Sequence, residues 1–167
     1  MGRIDKNGIL YITGRAKELI ITAGGENIPP ILIEQEVLAT LPFVSQVMLV
    51  GERRKYLTCL IAIKESAPGS GKIESSAKHY LGLKGEEIST IEQARQSKIV
   101  ANLINAGLKQ ANDRAISRAQ IVQDYYIMPE EFSVENGLLT PTMKLKRKEA
   151  EKKYIKEIEQ MYLKAKL

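Results

Sequence analysis

Two apolar runs near the middle of the chain restrict its possible folds more than any other feature. Residues 46–52 read QVMLVGE and residues 56–64 read YLTCLIAIK. The link between them, GERRK, is short and charged, so the two runs are predicted to be the strands of an antiparallel hairpin. Because strands this apolar need cover, the other segments of the chain are expected to pack against them.

The N-terminal part of the chain predicts a second hairpin and the first helix. Asn7-Gly8 stands between two β-favouring runs, and both residues tolerate positive φ, which is typical of a tight turn. Residues 17–22, KELIIT, predict a further strand. The Gly-rich loop that follows ends at Pro29-Pro30, and a helix is predicted to begin there because proline is accepted in the first helical turn.

The second half of the chain predicts mainly helices. Residues 65–72, ESAPGSGK, have the composition of a linker, and residues 73–118 predict helical structure with a capping box at residues 89–92. Residues 121–132 predict a strand that runs into a loop, and a final helix is predicted from about residue 147. The apolar stripe of the predicted helical region comprises Val100, Ile104, Leu108, Ala111 and Ala115.

Together these elements predict an α+β fold, in which a small mixed or antiparallel sheet is flanked by helices and preceded by the N-terminal hairpin. A length of 167 residues fits one domain. The single cysteine, Cys59, lies in an apolar run, which excludes a disulfide framework and fits a reducing compartment. Because the chain has no apolar run of about 18 residues, we expect a soluble, cytoplasmic protein.

The formal net charge of +5 indicates a polyanionic partner. Nucleic acid, a membrane surface and a phosphorylated small molecule all meet that description. Nucleic acid is the weakest of the three, because the lysines of the C-terminal segment alternate with Glu149, Glu151, Glu157 and Glu159 and no aromatic stacking platform is evident. Peripheral association with a membrane stays open. His79 is a lone histidine, and the sequence indicates no metal site.

Two segments carry a more specific pattern. Residues 5–34, DKNGILYITGRAKELIITAGGENIPPILIE, resemble the hinge region of the acyl-adenylate-forming superfamily. Residues 137–147, GLLTPTMKLKR, resemble the second landmark of the same family, a Pro-Ser/Thr-x-Lys-x-x-Arg segment on a closing loop. The first match, with one residue inserted near the glycine pair, rests on Asp5, Gly8, Gly14, Arg15, Lys17, Glu18, Ile20, Ile28, Pro30 and Glu34. The second match rests on Pro141, Thr142, Lys144 and Arg147.

The resemblance covers essentially the whole chain and implies the C-terminal lid domain of such an enzyme, most similar to long-chain fatty acid–CoA ligases of the bubblegum type. It implies that residues 8–34 hold the hinge and the glycine loop, that residues 137–147 hold a catalytic lysine, and that residues 65–120 are a mainly helical insertion. The large N-terminal domain of the family, with most of the ATP site and the fatty-acid tunnel, is expected to be absent from residues 1–167. The chain alone is therefore expected to be inactive.

The reaction that the resemblance implies has two halves. A fatty acid carboxylate attacks the α-phosphate of ATP, held with Mg²⁺, and coenzyme A thiolate then attacks the acyl-AMP carbonyl and expels AMP. These molecules are substrates, and no prosthetic group is implied. Lys144 is implied to be the catalytic cation of the first half, because a long, flexible side chain can carry a compact charge to the phosphate. Residues 53–55, RRK, fit either coenzyme A phosphates or a solvated hairpin tip. An acyl carrier protein as acceptor stays open.

The resemblance implies roles for five further positions. Arg15 would contact the ribose or phosphates of the nucleotide. Lys17 would be the hinge residue at which the backbone rotates between the two half-reactions, swinging Lys144 out. Gly24 and Gly25 would allow close approach of the pantetheine arm in a coenzyme A tunnel, although an ordinary turn also explains them. Glu26 stands where acetate-type members carry a nucleotide-binding arginine, so the charge at that position is reversed.

Overall fold

The computed structural model of the chain has the predicted α+β architecture. It describes residues 2–12 and 18–164, and this part of the chain contains six α-helices and seven strands. A three-stranded sheet forms the centre, and helices cover it. None of the helices in the described part of the chain has the length and apolarity that a bilayer crossing requires.

The first element is the predicted N-terminal hairpin. Strands β1 (Gly2–Ile4) and β2 (Leu10–Ile12) pair antiparallel. The carboxylate of Asp5 accepts hydrogen bonds from two backbone N–H groups of the turn, at 2.8 and 3.0 Å. Gly8 has a φ of 80°, a left-handed conformation that glycine adopts without steric cost. The hairpin predicted from Asn7-Gly8 is therefore confirmed.

A small two-stranded ribbon and the first helix follow. Strands β3 (Ile20–Ile21) and β4 (Asn27–Ile28) pair antiparallel, so the strand predicted over residues 17–22 spans only two described residues. Helix α1 (Pro30–Thr40) begins at the second proline of the pair, as predicted. Proline is well placed there because the first N–H groups of a helix have no intrahelical acceptor.

The predicted central hairpin is confirmed. Strands β5 (Val44–Val50) and β6 (Leu57–Ile63) pair antiparallel, and every residue of β6 is buried. Successive side chains of β5 alternate between two apolar clusters, with Leu49 in one and Met48 in the other. The hairpin therefore has a core on each face, which explains why both runs are almost wholly apolar rather than alternating.

Three helices connect β6 to the third strand of the central sheet. They are α2 (Ser75–Gly82), α3 (Ile91–Gln96) and α4 (Lys98–Asn112), and strand β7 (Val122–Ile127) then pairs parallel with β6. A parallel neighbour requires a crossover connection, and these helices supply it. That residues 65–120 are an insertion relative to other family members stays a prediction.

Helix α4 packs closely against α1. A Cβ atom on Gly107 would lie 2.5 Å from Leu41 Cδ2, so only glycine permits this approach. The hydroxyl of Thr40 also donates a hydrogen bond to the Gly107 carbonyl, at 3.1 Å. Four of the five residues predicted to form the apolar stripe are buried on α4, namely Val100, Ile104, Leu108 and Ala111.

Two details of the helical prediction were wrong. The capping box is formed by Thr90 and Gln93, one residue later than predicted, because the carbonyl of Ser89 is already engaged by another N–H group. Ala115 lies beyond the helix, which ends at Asn112. The side-chain amide of Asn112 bonds both the N–H and the carbonyl of Val122, each at 2.9 Å, and so joins the helix end to the start of β7.

The C-terminal segment covers the second face of the sheet. Helix α5 (Arg147–Lys153) is followed, after a break at Tyr154, by helix α6 (Ile155–Lys164). The predicted start near residue 147 is confirmed, although the segment forms two helices rather than one. The buried side chains of this segment are Ala150, Tyr154, Ile158 and Met161, and they pack in the cluster that contains Leu138 and Leu139.

Candidate functional site

Lys144 lies in a short, well-ordered hairpin, which we call the lysine loop (residues 138–146). At its base, the Lys146 N–H donates to the Leu138 carbonyl at 2.8 Å. Nearer the tip, the Thr140 N–H donates to the Lys144 carbonyl at 2.8 Å, and the Lys144 N–H donates to the Thr140 hydroxyl at 3.1 Å. The backbone of Lys144 is therefore fixed, while its side chain is exposed.

The tip of the lysine loop contains a residue in an unusual conformation. Met143 has a φ of 60°, in the left-handed region that residues other than glycine rarely adopt. Its N–H donates to the Thr140 carbonyl at 2.8 Å, and its side chain is 67% exposed. Within the described residues, Lys144 takes part in no ion pair. The turn therefore presents a lysine whose charge is available to an external anion.

Arg147 joins the lysine loop to the segment that resembles the hinge. Its guanidinium forms a two-pronged ion pair with Glu34 on α1, with N–O distances of 2.6 and 2.7 Å. Glu34 also accepts a hydrogen bond from the N–H of Leu49 on β5, at 2.7 Å. Burial lowers the pKa of Arg147, but the hydrogen bonds and charge of Glu34 outweigh it, so the pKa lies above its usual value.

Residues of the two motifs line one cavity of about 380 Å³. Glu18 and Glu34 come from the first motif, and Lys144 and Arg147 come from the second. The apolar part of the wall is formed by Ile31, Leu38, Val47, Phe132, Leu139, Met143 and Leu145. Because the motifs are far apart in sequence, this convergence is the main geometrical evidence for a functional site.

The glycine pair lies in the turn between β3 and β4, which we call the glycine turn (residues 22–26). The Thr22 carbonyl accepts from the Gly25 N–H at 2.9 Å, and Gly25 has a φ of 80°. A Cβ on Gly24 would lie 3.8 Å from Thr22 Oγ1, which is ordinary contact, and one on Gly25 would meet no atom within 4 Å. An ordinary turn therefore requires glycine at position 25 but not at position 24.

The glycine turn rests on the turn between β5 and β6. The Ala23 N–H donates to the Arg54 carbonyl at 2.9 Å, and the Arg53 N–H donates to the Ile21 carbonyl at 2.8 Å. The Arg54 side chain pairs with Glu159, and this hydrogen bond raises the pKa of Arg54. One member of the basic run at residues 53–55 is therefore engaged within the chain.

The remaining predicted positions are described to different extents. Glu26 is exposed, and its carboxylate accepts a hydrogen bond from the Ser117 hydroxyl at 3.1 Å. Arg15 and Lys17 lie outside the described residues, so their nucleotide-binding and hinge roles stay predictions. In the described part of the chain, no group of three or more His, Cys, Asp or Glu side chains has the arrangement of a metal site.

Sequence reasoning assigned no role to the pair formed by Glu34 and Arg147. Each residue matches a motif position, and this match is the only indication in the sequence that either residue has a function. Nothing in either motif indicates that the two side chains meet, because they are separated by 113 positions.

Comparisons with known proteins agree with both motifs. A family model described as the AMP-binding enzyme C-terminal domain matches residues 17–82 and 76–166. The long-chain-fatty-acid–CoA ligase ACSBG2 of Gallus gallus is 41% identical over 170 residues, which is 97% of this chain and 22% of that protein. The ligase ACSBG1 of Rattus norvegicus is 39% identical over 169 residues, which is 97% of this chain and 23% of that protein. The chain thus spans less than a quarter of these relatives.

Solved structures show the same fold at lower sequence identity. The A domain of a carboxylic acid reductase from Segniliparus rugosus matches 97% of this chain with a TM-score of 0.65 and 18% identity, over 24% of its own length. The adenylation domain of the carboxylate reductase from Mycobacterium chelonae matches 96% of this chain with a TM-score of 0.65 and 21% identity, again over 24% of its length. These likenesses establish the architecture alone.

Proposed function

The chain belongs to the family of AMP-binding enzyme C-terminal domains, and from this premise we propose that it is the lid domain of an ATP-dependent long-chain fatty acid–CoA ligase. The observation that carries the proposal is the lysine loop, which holds the backbone of Lys144 rigidly and leaves its side chain without an ion pair in the described part of the chain. The names of the similar ligases support the choice of fatty acid and of coenzyme A rather than a carrier protein.

Lys144 acts in the adenylation half of the proposed reaction. The fatty acid carboxylate attacks the α-phosphorus of ATP, the bond to the β-phosphate oxygen breaks, and pyrophosphate leaves. Negative charge accumulates between an anionic nucleophile and an anionic phosphate, and the Lys144 ammonium stabilises it. Closure of the lid also excludes water, which would otherwise hydrolyse acyl-AMP.

The glycine turn acts in the thioester half. Rotation at Lys17 moves the lysine loop away and brings the glycine turn towards the active site. There Gly24 and Gly25 border the pantetheine arm, whose thiolate attacks the acyl carbonyl and expels AMP. Arg15 contacts the ribose or phosphates of the nucleotide. Glu26 lies beside this turn, and the reversed charge means that it does not take over the nucleotide contact of the arginine found in acetate-type members.

A large N-terminal domain supplies the rest of the site in this proposal. It holds most of the ATP site, Mg²⁺ and the acyl tunnel, and residues 1–167 close over it, with residues 65–120 as a mainly helical insertion. The enzyme works in the cytoplasm and reaches its lipid substrate by peripheral contact with a membrane. Acyl-CoA formation by the 167 residues alone would contradict this division of labour.

The deciding experiment compares the two half-reactions in the full-length enzyme that carries this domain. Fatty-acid-dependent ATP–pyrophosphate exchange measures adenylation, and thioester formation from pre-made acyl-AMP measures the second half. Lys144→Ala is expected to reduce exchange by at least about 100-fold, the effect of removing one preorganised charge-stabilising group. Thioester formation is expected to persist.

The matched control is Lys148→Ala, which removes another exposed lysine just beyond the lysine loop. It is expected to leave both half-reactions unchanged. Exchange that is insensitive to Lys144→Ala would mean that Lys144 is only a surface charge, and the proposal would fail.

A further inference from the structure

The ion pair between Glu34 and Arg147 connects the two motifs directly. Glu34 is the last residue of the hinge-like motif, and Arg147 is the third residue after Lys144. Both N–O contacts are short, at 2.6 and 2.7 Å, and the side chains of Arg147 and Glu34 are only 20% and 12% exposed. A two-pronged pair fixes orientation as well as distance, because the planar guanidinium matches the carboxylate.

Glu34 is itself held by the central sheet. Its Oε1 atom accepts a hydrogen bond from the Leu49 N–H at 2.7 Å, so the carboxylate is bonded to β5 as well as to Arg147. On the other side, the backbone bonds between Thr140 and Lys144 and between Leu138 and Lys146 make the lysine loop one stiff unit. Polar contacts to Arg147, and the short stretch of backbone from Arg147 to Lys144, therefore link β5 and α1 to the lysine loop.

A second ion pair, which also involves a residue of α1, is exposed on the surface and serves as a comparison. Glu36 pairs with Arg114, just beyond the end of α4, but these side chains are 43% and 59% exposed. Exposed pairs contribute little because solvent screens them and the side chains keep their freedom. The pair at Glu34 is instead shielded and carries an additional backbone hydrogen bond, so it restrains geometry much more strongly.

We propose that Glu34 and Arg147 are positioning residues, which set the location of the Lys144 ammonium relative to α1 and β5 and thereby govern the adenylation half-reaction. This inference rests on the proposed function, since it presumes that Lys144 serves adenylation. Neither side chain has to touch substrate for the effect to occur. A displacement of about 1 Å in a reacting constellation can reduce a rate up to about 100-fold.

The test is Arg147→Lys in the full-length enzyme. Lysine keeps the positive charge beside Glu34 but loses the fork, so the pair survives while its directional restraint is removed. We expect the kcat of ATP–pyrophosphate exchange to fall roughly tenfold, the KM for ATP to stay unchanged, and thioester formation from acyl-AMP to stay within about twofold of wild type. Arg114→Lys, the same substitution in the exposed pair, is expected to change none of these values.

A second variant guards against a folding defect. Glu34→Gln preserves the shape of the side chain and an oxygen acceptor for the Leu49 N–H, but it removes the charge that attracts Arg147. We expect the same selective loss of exchange.

The outcomes separate the two proposals. If Arg147→Lys and Glu34→Gln lower both half-reactions equally and also lower Tm, the pair is only structural and the inference is overturned. If neither variant affects exchange while Lys144→Ala abolishes it, the inference fails and the proposed function stands. If Lys144→Ala has no effect on exchange, both proposals fall.

Discussion

The lysine loop and the glycine turn are both tight reversals with one residue in the left-handed region, yet they are built in different ways. In the glycine turn that residue is Gly25, with a φ of 80°, and in the lysine loop it is Met143, with a φ of 60°. Glycine adopts this conformation freely, whereas a side-chain-bearing residue does so at a cost of about 1 kcal/mol or more. The lysine loop therefore contains strain that its surroundings must offset.

The two turns are also anchored by different groups. The glycine turn is tied mainly by backbone bonds, from Ala23 to the Arg54 carbonyl and from Arg53 to the Ile21 carbonyl, beside one exposed side-chain contact between Ser117 and Glu26. The lysine loop depends in addition on one shielded side-chain pair, Arg147 with Glu34. Backbone anchors tolerate side-chain substitution, and an ion pair does not.

This difference corresponds to the kind of group that each turn would present. The lysine loop would present the side chain of Lys144 to a ligand. A side-chain ion pair, Arg147 with Glu34, also helps to anchor it. The glycine turn offers a bare backbone to a ligand, so its sensitivity lies in conformation and in free space. Substitutions should therefore affect the two turns by different physical routes, and four predictions test this contrast.

The largest effect is expected from Glu34→Ala. The substitution leaves a shielded guanidinium unpaired and removes the acceptor of the Leu49 N–H. Breaking one partner of a largely buried ion pair costs about 3 kcal/mol, because the remaining charge stays desolvated. Urea unfolding of the 167-residue chain measures the loss as a lower midpoint at unchanged slope.

Glu36→Ala is the matched control for that loss. It removes a carboxylate from the same helix, and its partner Arg114 is exposed. The free energy of unfolding is expected to fall by less than about 1 kcal/mol. Equal losses for the two variants would show that the shielded pair has no special role in anchoring the lysine loop.

The second prediction separates a ligand-facing glycine from a turn-forming one. Gly24 has ordinary φ, and an added Cβ has room, so Gly24→Ala is expected to leave stability unchanged. A methyl group that borders the pantetheine arm would nevertheless hinder the thiol. We expect thioester formation from acyl-AMP to fall about tenfold, equivalent to about 1.4 kcal/mol, with ATP–pyrophosphate exchange unchanged. Normal thioester formation would leave Gly24 as an ordinary turn residue.

Much of the fold could be predicted because its signals are local. Apolar runs with a short charged link specified the central hairpin, and Asn7-Gly8 specified the first one. The prediction of the helix N-cap was wrong because a contact with a residue distant in sequence determines its position. Ser89 and Thr90 both precede a suitable capping partner, and the choice of Thr90 follows from the Ser89 carbonyl, which accepts the Ile73 N–H.

The site could be predicted only in part, for the same reason. Lys144 was identified from its motif, and its exposure agrees with a role outside the chain. The partner of Arg147 could not be identified from the sequence. The chain has 20 acidic and 25 basic residues, and no local pattern indicates which of them form ion pairs. What selects Glu34 is the packing of α1, β5 and α5, which brings residues separated by 113 positions together.

The third prediction concerns the backbone of the glycine turn. Gly25→Ala places a methyl group in open space but forces alanine to a φ of 80°. The expected cost is about 1 kcal/mol in the free energy of unfolding, which is strain rather than a clash. Urea unfolding of Gly25→Ala and Gly24→Ala measures this cost, and Gly25→Ala is expected to be the less stable of the two variants. A larger loss for Gly24→Ala would mean that the turn conformation differs from the one described.

The smallest effect is the contribution that Tyr162, beside the glycine turn, makes to the pH dependence of stability. The Tyr162 hydroxyl donates towards the carbonyls of Val50 and Tyr56, at 3.2 and 3.1 Å, on either side of the turn that supports residues 22–26. Burial raises the pKa of Tyr162 to about 12. An unfolded tyrosine ionises near pH 10, so the stabilisation from the neutral phenol is complete below about pH 10 and is lost as the pH rises towards about 12.

The guanidinium of Arg147 has a pKa above its already high usual value and keeps its charge in this range. Burial also raises the pKa of Tyr154, which packs with Leu138 and Leu139, so only the part of the alkaline loss that Tyr162→Phe removes belongs to the glycine turn. Phenolate absorbance, compared between wild type and Tyr162→Phe, is expected to show one tyrosine that titrates near pH 12. Between about pH 9 and about pH 11, the free energy of unfolding should fall less in Tyr162→Phe than in wild type. A free energy of unfolding that falls equally in the two proteins would show that the Tyr162 hydroxyl does not stabilise the chain beside the glycine turn.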